Sequence, residues 1–393
     1  MLRQLEGSAA VAQTVARCGP DVVAAYPISP QTHIVEGLAR LIAQGEVGRC
    51  QYLNVDSEFS ALSACVGAAA VGARAYTATA SQGLLFMAEA LFNASGLGLP
   101  VVMTVANRAI GAPINIWNDH SDAMSQRDCG WIQLYATSNQ EAADLHVQAF
   151  ALAEQLSLPV MVCMDGFVLT HAFEEIEVPD ADAVAAFLPR TAPQHVLDPD
   201  DPMTIGAMVG PEAFTEVRWL MHRKQLAALE AIPRVAGRFA AAFGRASGGL
   251  VRGHRLDDAE TVVVTLGSVM GTVEDLVDEL RDDGEAVGAL AIGCFRPCPV
   301  AELREALAGA DRVVVVERAF APGVGGIVGQ DVRLALAGRD RPVHDVIAGL
   351  GGRPVTRRAL RAVVDRAASG ELVAEPTFLD LRAEALAGIG RRP

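Results

Sequence analysis

Two series of short apolar runs, each closed by a polar cluster and followed by a helix-like segment, restrict this chain to alternating β and α elements. In the first series, from about residue 7 to 170, the strand-like runs are DVVAAYP, CQYLNVD, RAYTATA, PVVMTVAN, WIQLYAT and PVMVCMD. Near-continuous apolar runs are what strands buried on both faces of a parallel sheet require. Helical spacing is clearest from Gln140 to Leu156, where Ala142, Leu145, Ala149, Leu152 and Leu156 fall on one face, with Asn139 and Gln140 at the start. The second series contains TVVVTLGS, AVGALAIGCF, DRVVVVERA and PVHDVIAG, joined by helices such as Val273 to Leu280. Between them, PDADAVAAFLPRTAPQHVLDPDDP reads as an ordered surface connector, leading to an amphipathic helix from about Pro211 to Phe243. The expected fold class is α/β, a doubly wound parallel sheet plus a second, smaller α/β domain. The tail from Glu371 carries little local signal and is expected to pack on a neighbour.

The polar clusters fall where strands end and helices begin: Tyr26 to Thr32 (YPISPQT), Val55-Asp56-Ser57-Glu58, Thr77 to Gly83 (TATASQG) and Ala106-Asn107-Arg108-Ala109. In an open α/β sheet these are the carboxyl edges of the strands, where ligands bind. One acid, one arginine and several hydroxyls therefore converge on one sheet edge, the layout of a small-molecule site.

Composition narrows the class. With 393 residues the chain can bury two or three cores, and 51% hydrophobic residues with only 5% aromatics makes Ala, Val and Leu the core builders. The longest uncharged stretch, Ala90 to Asn107, is broken by Asn93, Gly96, Gly98 and Pro100, so it reads as helix, turn and strand and not as a membrane span. MLRQLEG has an early acid and no apolar signal region, which sets the expectation of a cytoplasmic protein. Seven cysteines without a C-x-x-C pair point to reduced, buried thiols, and away from an iron–sulfur cluster or structural zinc in this chain. A formal charge of −15 disfavours nucleic acid and anionic membranes as partners.

The motifs YPISPQT, SEFSAL, TATASQGL, NRAIGAPINIWNDHSD, QRDCGWIQLYATSNQEAAD, MDGF with Thr170-His171, FRPCP and VVVERAFAPG span nearly the whole chain. In this order they closely resemble the α subunits of the 2-oxoacid:ferredoxin oxidoreductases, of which pyruvate:ferredoxin oxidoreductase is the best-known member. The resemblance implies a thiamine diphosphate-binding fold: a pyrimidine-type domain at 1–177, a connector and helix at 178–257, a transketolase C-terminal-like domain at 258–370 and a tail at 371–393. It implies oxidative decarboxylation of pyruvate to acyl-CoA and CO2. A β subunit would hold the diphosphate and Mg²⁺, γ and δ subunits would complete the complex, [4Fe-4S] clusters would lie on partners, and coenzyme A and ferredoxin would take the acyl group and the electrons. The residues agree with that division. No Gly-Asp-Gly occurs and no asparagine follows Asn139, so this chain alone cannot build the usual diphosphate–Mg²⁺ site.

By the same resemblance Glu58 matches the glutamate that faces N1′ of the aminopyrimidine; by its own position, an Asp-Ser-Glu run is also an ordinary helix start, with Asp56 as a cap. Arg108 is either a bidentate clamp on the substrate carboxylate or an interdomain salt bridge. Ser29 stands where relatives carry Thr; its hydroxyl could meet the substrate carboxylate or serve only the turn between Pro27 and Pro30. Ser81 and Gln82 are expected at the cofactor, with a plain N-cap as the rival for Ser81. No metal ligand is assigned: Asp119-His120-Ser121-Asp122 reads as acidic caps around a buried histidine, and Asp165 and His171 as residues that order loops. Cys129 and Cys298 are assigned to packing, Trp117 and Trp131 to core or interface. The rival substrates are phenylglyoxylate, 2-oxoisovalerate and 2-oxoglutarate, with NAD-linked electron delivery through a flavoprotein as a variant. A non-catalytic scaffold and a transketolase-type enzyme are the rivals of other classes. The first needs neither Glu58 nor Arg108, and the second needs more cationic clamps than one arginine.

Overall fold

A computed structural model describes residues 2–190, 196–373 and 375–387. The first series forms a seven-stranded sheet in the order Cys294–Arg296, Ile132–Tyr135, Val160–Asp165, Val101–Asn107, Ala75–Thr79, Val22–Ala25, Gln51–Asn54. Six strands are parallel; Cys294–Arg296 alone runs antiparallel, on Ile132–Tyr135. The central strands Ala75–Thr79, Val101–Asn107 and Val160–Asp165 are buried throughout, as their unbroken apolar runs require. Gln51–Asn54 is the exception: it lies at the edge and is largely exposed. From Val22–Ala25 the chain moves outward to Gln51–Asn54 and then back to Ala75–Thr79 on the other side. That reversal is a topological switch point, and ligands of open α/β sheets bind at the carboxyl ends of the strands beside such a point.

The second series forms a six-stranded sheet in the order Thr377–Phe378, Val343–Ile347, Arg312–Glu317, Thr261–Thr265, Val287–Ile292, Val251–His254, parallel except for the last. Three local expectations change. The run AVGALAIGCF does not make one strand: it breaks at Gly293, and Cys294–Arg296 leaves to close the edge of the larger sheet. The connector holds a helix, Ala181–Phe187, because Asp180 accepts from the N–H groups of Asp182 and Ala183 as an N-cap. In the tail, where the sequence carries little local signal, Thr377–Phe378 adds a strand to the second sheet of the same chain. Helix Asn139–Leu156 is capped by Ser138 and buries Ala142, Leu145, Ala149 and Leu152 against the sheet and against helix Phe214–Phe243. Six of the seven cysteines are buried and Cys298 is half-buried. Among the described residues no helix is long and apolar enough to cross a membrane.

The two sheets are joined through buried polar groups at the carboxyl end of Val160–Asp165. Asp165 accepts from Arg318 Nη1 at 2.7 Å and from the Ser268 backbone N–H at 2.8 Å, and it bonds the Ser268 hydroxyl and His120 Nε2. Burial by itself would raise the Asp165 pKa, but Arg318, His120 and these hydrogen bonds hold it well below the usual carboxylate range. The carboxylate is therefore ionised in the folded chain down to lower pH than in the unfolded one. Its stabilisation is complete above the ordinary carboxylate pKa and is lost as the pH falls below that value. Asp165→Asn is expected to cost about 3–5 kcal/mol, since it strands a buried arginine. Denaturant unfolding at neutral pH measures this, and the gap between variant and wild type is expected to narrow in acid; an unchanged midpoint would remove Asp165 from the seam.

Candidate active site

Each expected residue sits on the carboxyl edge of the larger sheet, and the structure shows what holds it there. Ser57, extended at φ −163° and ψ 162°, caps helix Glu58–Ala70 by accepting from the Ser60 N–H at 3.2 Å. Asp56 takes the Ser60 hydroxyl at 2.6 Å. The cap role therefore belongs to Ser57 and its support to Asp56. Glu58 is left as the first helical residue, 8% exposed, and among the described residues no hydrogen bond or ion pair holds its carboxylate. It faces Gly83, where an added Cβ would lie 2.7 Å from Glu58 Oε1 and 2.6 Å from Thr79 Oγ1. The Thr79 hydroxyl is itself buried without a partner. Only glycine allows the backbone after Ala75–Thr79 to approach so closely.

Ser81 is not an N-cap. It occupies the left-handed region at φ 50°, its hydroxyl donates to the Ala109 carbonyl at 2.5 Å, and its N–H donates to Asp122 Oδ2 at 2.9 Å. A left-handed serine persists only where its surroundings fix it. Asp122 supplies that restraint. Fully buried, it also accepts from the Arg108 N–H at 2.9 Å, the Asn107 side-chain amide at 2.8 Å and the Ala123 N–H at 2.7 Å. Burial raises its pKa and these four donors oppose the rise.

Arg108 makes no ion pair among the described residues, so the interdomain salt bridge gives way to a different arrangement. Its Nη1 donates to the Ser29 carbonyl at 2.7 Å and its Nη2 to Gln82 Oε1 at 3.4 Å, while Nε is buried without a partner. Burial lowers the Arg108 pKa, and neighbouring Asp122 works against that. Ser29 itself is exposed, followed by a cis peptide to Pro30. Its loop is pinned by Gln31, whose buried amide donates to the Ala78 carbonyl at 2.6 Å. Thus Ser29, Gln82 and Arg108, from three different strand ends, meet directly, and Glu58 joins them through Gly83.

Asp122 and Gln31 were not singled out by sequence reasoning as groups that organise the site. Their one signal was a polar residue inside a quoted motif, YPISPQT or NRAIGAPINIWNDHSD, which does not distinguish a buried hub from an ordinary cap. The remaining polar residues behave as loop-ordering groups. His120 packs against Asp165, and its N–H donates to the Arg318 carbonyl at 3.0 Å. The loop between Arg108 and His120 is held from the second domain by Asn115 to the Gly351 carbonyl at 3.2 Å and by the Gly352 N–H to the Asn118 carbonyl at 3.0 Å. Trp131 is core, with its indole N–H on the Leu91 carbonyl, whereas Trp117 is half exposed.

A thiamine-type cofactor fits these residues at its pyrimidine end. The carboxylate of the buried residue Glu58, without a partner among the described residues, and the buried, unpartnered Thr79 hydroxyl flank a glycine cradle that a side chain would fill.

Comparison with known proteins agrees. Residues 13–236 match the family described as pyruvate flavodoxin/ferredoxin oxidoreductase, thiamine diP-binding, and residues 259–360 match the pyruvate:ferredoxin oxidoreductase core domain II. The chain is 46% identical over 390 residues to the pyruvate synthase subunit PorA of Methanosarcina barkeri, covering 97% of each. It is 39% identical over 364 residues to the ketoisovalerate oxidoreductase subunit VorA of Pyrococcus horikoshii, covering 92% of each. Among solved structures, the 2-oxoglutarate:ferredoxin oxidoreductase from Magnetococcus marinus superposes with a TM-score of 0.70 at 21% identity, a likeness of fold. The chain spans 65% of that longer chain, and 94% of its own length is matched. The chain belongs to the pyruvate flavodoxin/ferredoxin oxidoreductase family.

Proposed function

We propose that this chain is the pyrimidine-side subunit of a thiamine diphosphate-dependent oxidoreductase that converts pyruvate and coenzyme A to acetyl-CoA and CO2. The observation that carries the reading is the buried, unpartnered Glu58 carboxyl on the same sheet edge as Arg108. Thiamine diphosphate, when bound, supplies the carbon nucleophile for the 2-oxo group. Glu58 would face the pyrimidine end of the cofactor and would hold and move a proton there. Arg108, fixed through Ser29 and Gln82, orients the substrate carboxylate with the N–H groups that these two bonds leave over.

The rest of the machinery belongs to other chains. A β subunit holding diphosphate and Mg²⁺, with γ and δ subunits, fits a sequence that lacks Gly-Asp-Gly and has no asparagine after Asn139. Beside Arg108 the loop leaves Ile114, Ile116 and Trp117 exposed, an apolar surface suited to a partner subunit. Partner subunits would hold the [4Fe-4S] clusters that pass electrons to ferredoxin, in the cytoplasm. A branched 2-oxoacid such as 2-oxoisovalerate is the second reading, favoured by the VorA relative and by the small, exposed Ser29 at the mouth of the site.

The test is to purify the chain with its co-purifying partners and assay a panel of 2-oxoacids with viologen dye and coenzyme A. Pyruvate is expected to give the highest kcat/KM; reduction that needs no 2-oxoacid or no coenzyme A would overturn the assignment. In that assay Glu58→Gln is expected to lose ~10²–10⁴-fold in turnover with the complex intact. Activity within a few-fold of wild type would return Glu58 to the role of a helix-start acid. Arg108→Lys is expected to raise KM for the acid and to lower kcat, because lysine keeps the charge without the planar fork. A 2-oxo ester or amide is expected to be nearly indifferent to this change. Equal loss on ester and acid would make Arg108 structural.

A further inference from the structure

Around the start of the helix that follows the Ser29 loop, the fold gathers three metal-ligating side chains from distant parts of the sequence. Glu6 ends strand Arg3–Glu6, His33 lies in the first turn of helix Thr32–Ala43, and His171 sits in the turn between Val160–Asp165 and Phe173–Ile176. His33 Nδ1 is 2.7 Å from Glu6 Oε1, and the two imidazole rings lie 4.7 Å apart between centroids. One ligand atom from each residue can be chosen so that all three lie within 4.8 Å of one another. The His171 ring is held by a 2.7 Å hydrogen bond between Nδ1 and Thr170 Oγ1, and the same hydroxyl accepts from the Phe167 N–H at 2.8 Å. A ligand histidine is typically fixed by such a bond to its other ring nitrogen. The His33 side chain is 49% exposed, and ligation at about 2.0–2.1 Å requires only a short movement from its 2.7 Å contact with Glu6.

We propose that Glu6, His33 and His171 form a binding site for a late first-row divalent cation. Two imidazoles and one carboxylate are the donor set such ions take, and three protein ligands leave positions for water. Hard oxygen-seeking ions such as Ca²⁺ and Mg²⁺ match it poorly. Occupation would tie the N-terminal strand and the helix behind the Ser29 loop to the turn that follows Asp165. It would do so without touching Glu58 or Arg108.

Zn²⁺ is the probe. The complex containing the full chain is dialysed against buffered free Zn²⁺ from nanomolar to high micromolar with excess Mg²⁺, and bound zinc is counted by mass spectrometry. The same is done with His33→Ala and with His171→Gln. Wild type is expected to take up one zinc per chain beyond either variant at low micromolar free Zn²⁺, with at least about tenfold weaker binding when one histidine is lost. Equal zinc in wild type and His33→Ala would overturn the proposal and leave the three residues as an ion pair beside a ring contact. His33 is the more exposed of the two histidines, so that variant decides the question even if His171→Gln fails to fold.

Discussion

The buried carboxylate of Asp122 is the constraint on which the site depends. It draws the backbone N–H groups of Ser81 and Arg108 onto one oxygen, and so fixes the ends of two adjacent strands relative to each other. Burying an acid this completely is costly unless its lone pairs are filled, and four donors fill them. The return is positional. Ser81 is held left-handed, Gly83 is brought against Glu58, and Arg108 is aimed between Ser29 and Gln82. Side chains that must act on one small molecule need this kind of preorganisation, because their own rotamers do not supply it.

The second domain extends the same principle. His120 stands two residues before Asp122 and shares Asp165 with Arg318, so the segment that positions Arg108 is gripped from both sheets. Cys294–Arg296 adds a backbone link by closing the edge of the larger sheet from within the second domain's sequence. Neither unit is merely appended to the other. The second domain, through Gly351 and Gly352, fixes the loop that follows the arginine.

Much of this was legible in advance, for physical reasons. A strand buried on both faces must be apolar throughout, so Ala75–Thr79, Val101–Asn107 and Val160–Asp165 announce themselves, and in a parallel sheet their polar ends must share an edge. The candidate residues Ser29, Glu58, Ser81, Gln82 and Arg108 could therefore be placed together without knowing a single contact. What failed was local: Cys294–Arg296 was read as part of its neighbour because an apolar run says nothing about which sheet it joins, and Asp180 was read as a turn signal although the same oxygen can cap a helix.

The sequence alone determined the two α/β series, the edge on which the polar clusters fall and, through the family motifs, the kind of chemistry to expect. Periodicity and strand ends are local properties, and they survive in one dimension. Tertiary structure decided that Ser57 and not Asp56 caps the Glu58 helix, that Arg108 bonds the Ser29 carbonyl and not an acid, that Asp122 is a buried hub and not a cap, and that Asp165 joins the two sheets. It also brought Glu6, His33 and His171 together from three separate segments. A side chain's burial and partners depend on which segments the sheet order makes neighbours, and no pattern within a single segment encodes that order.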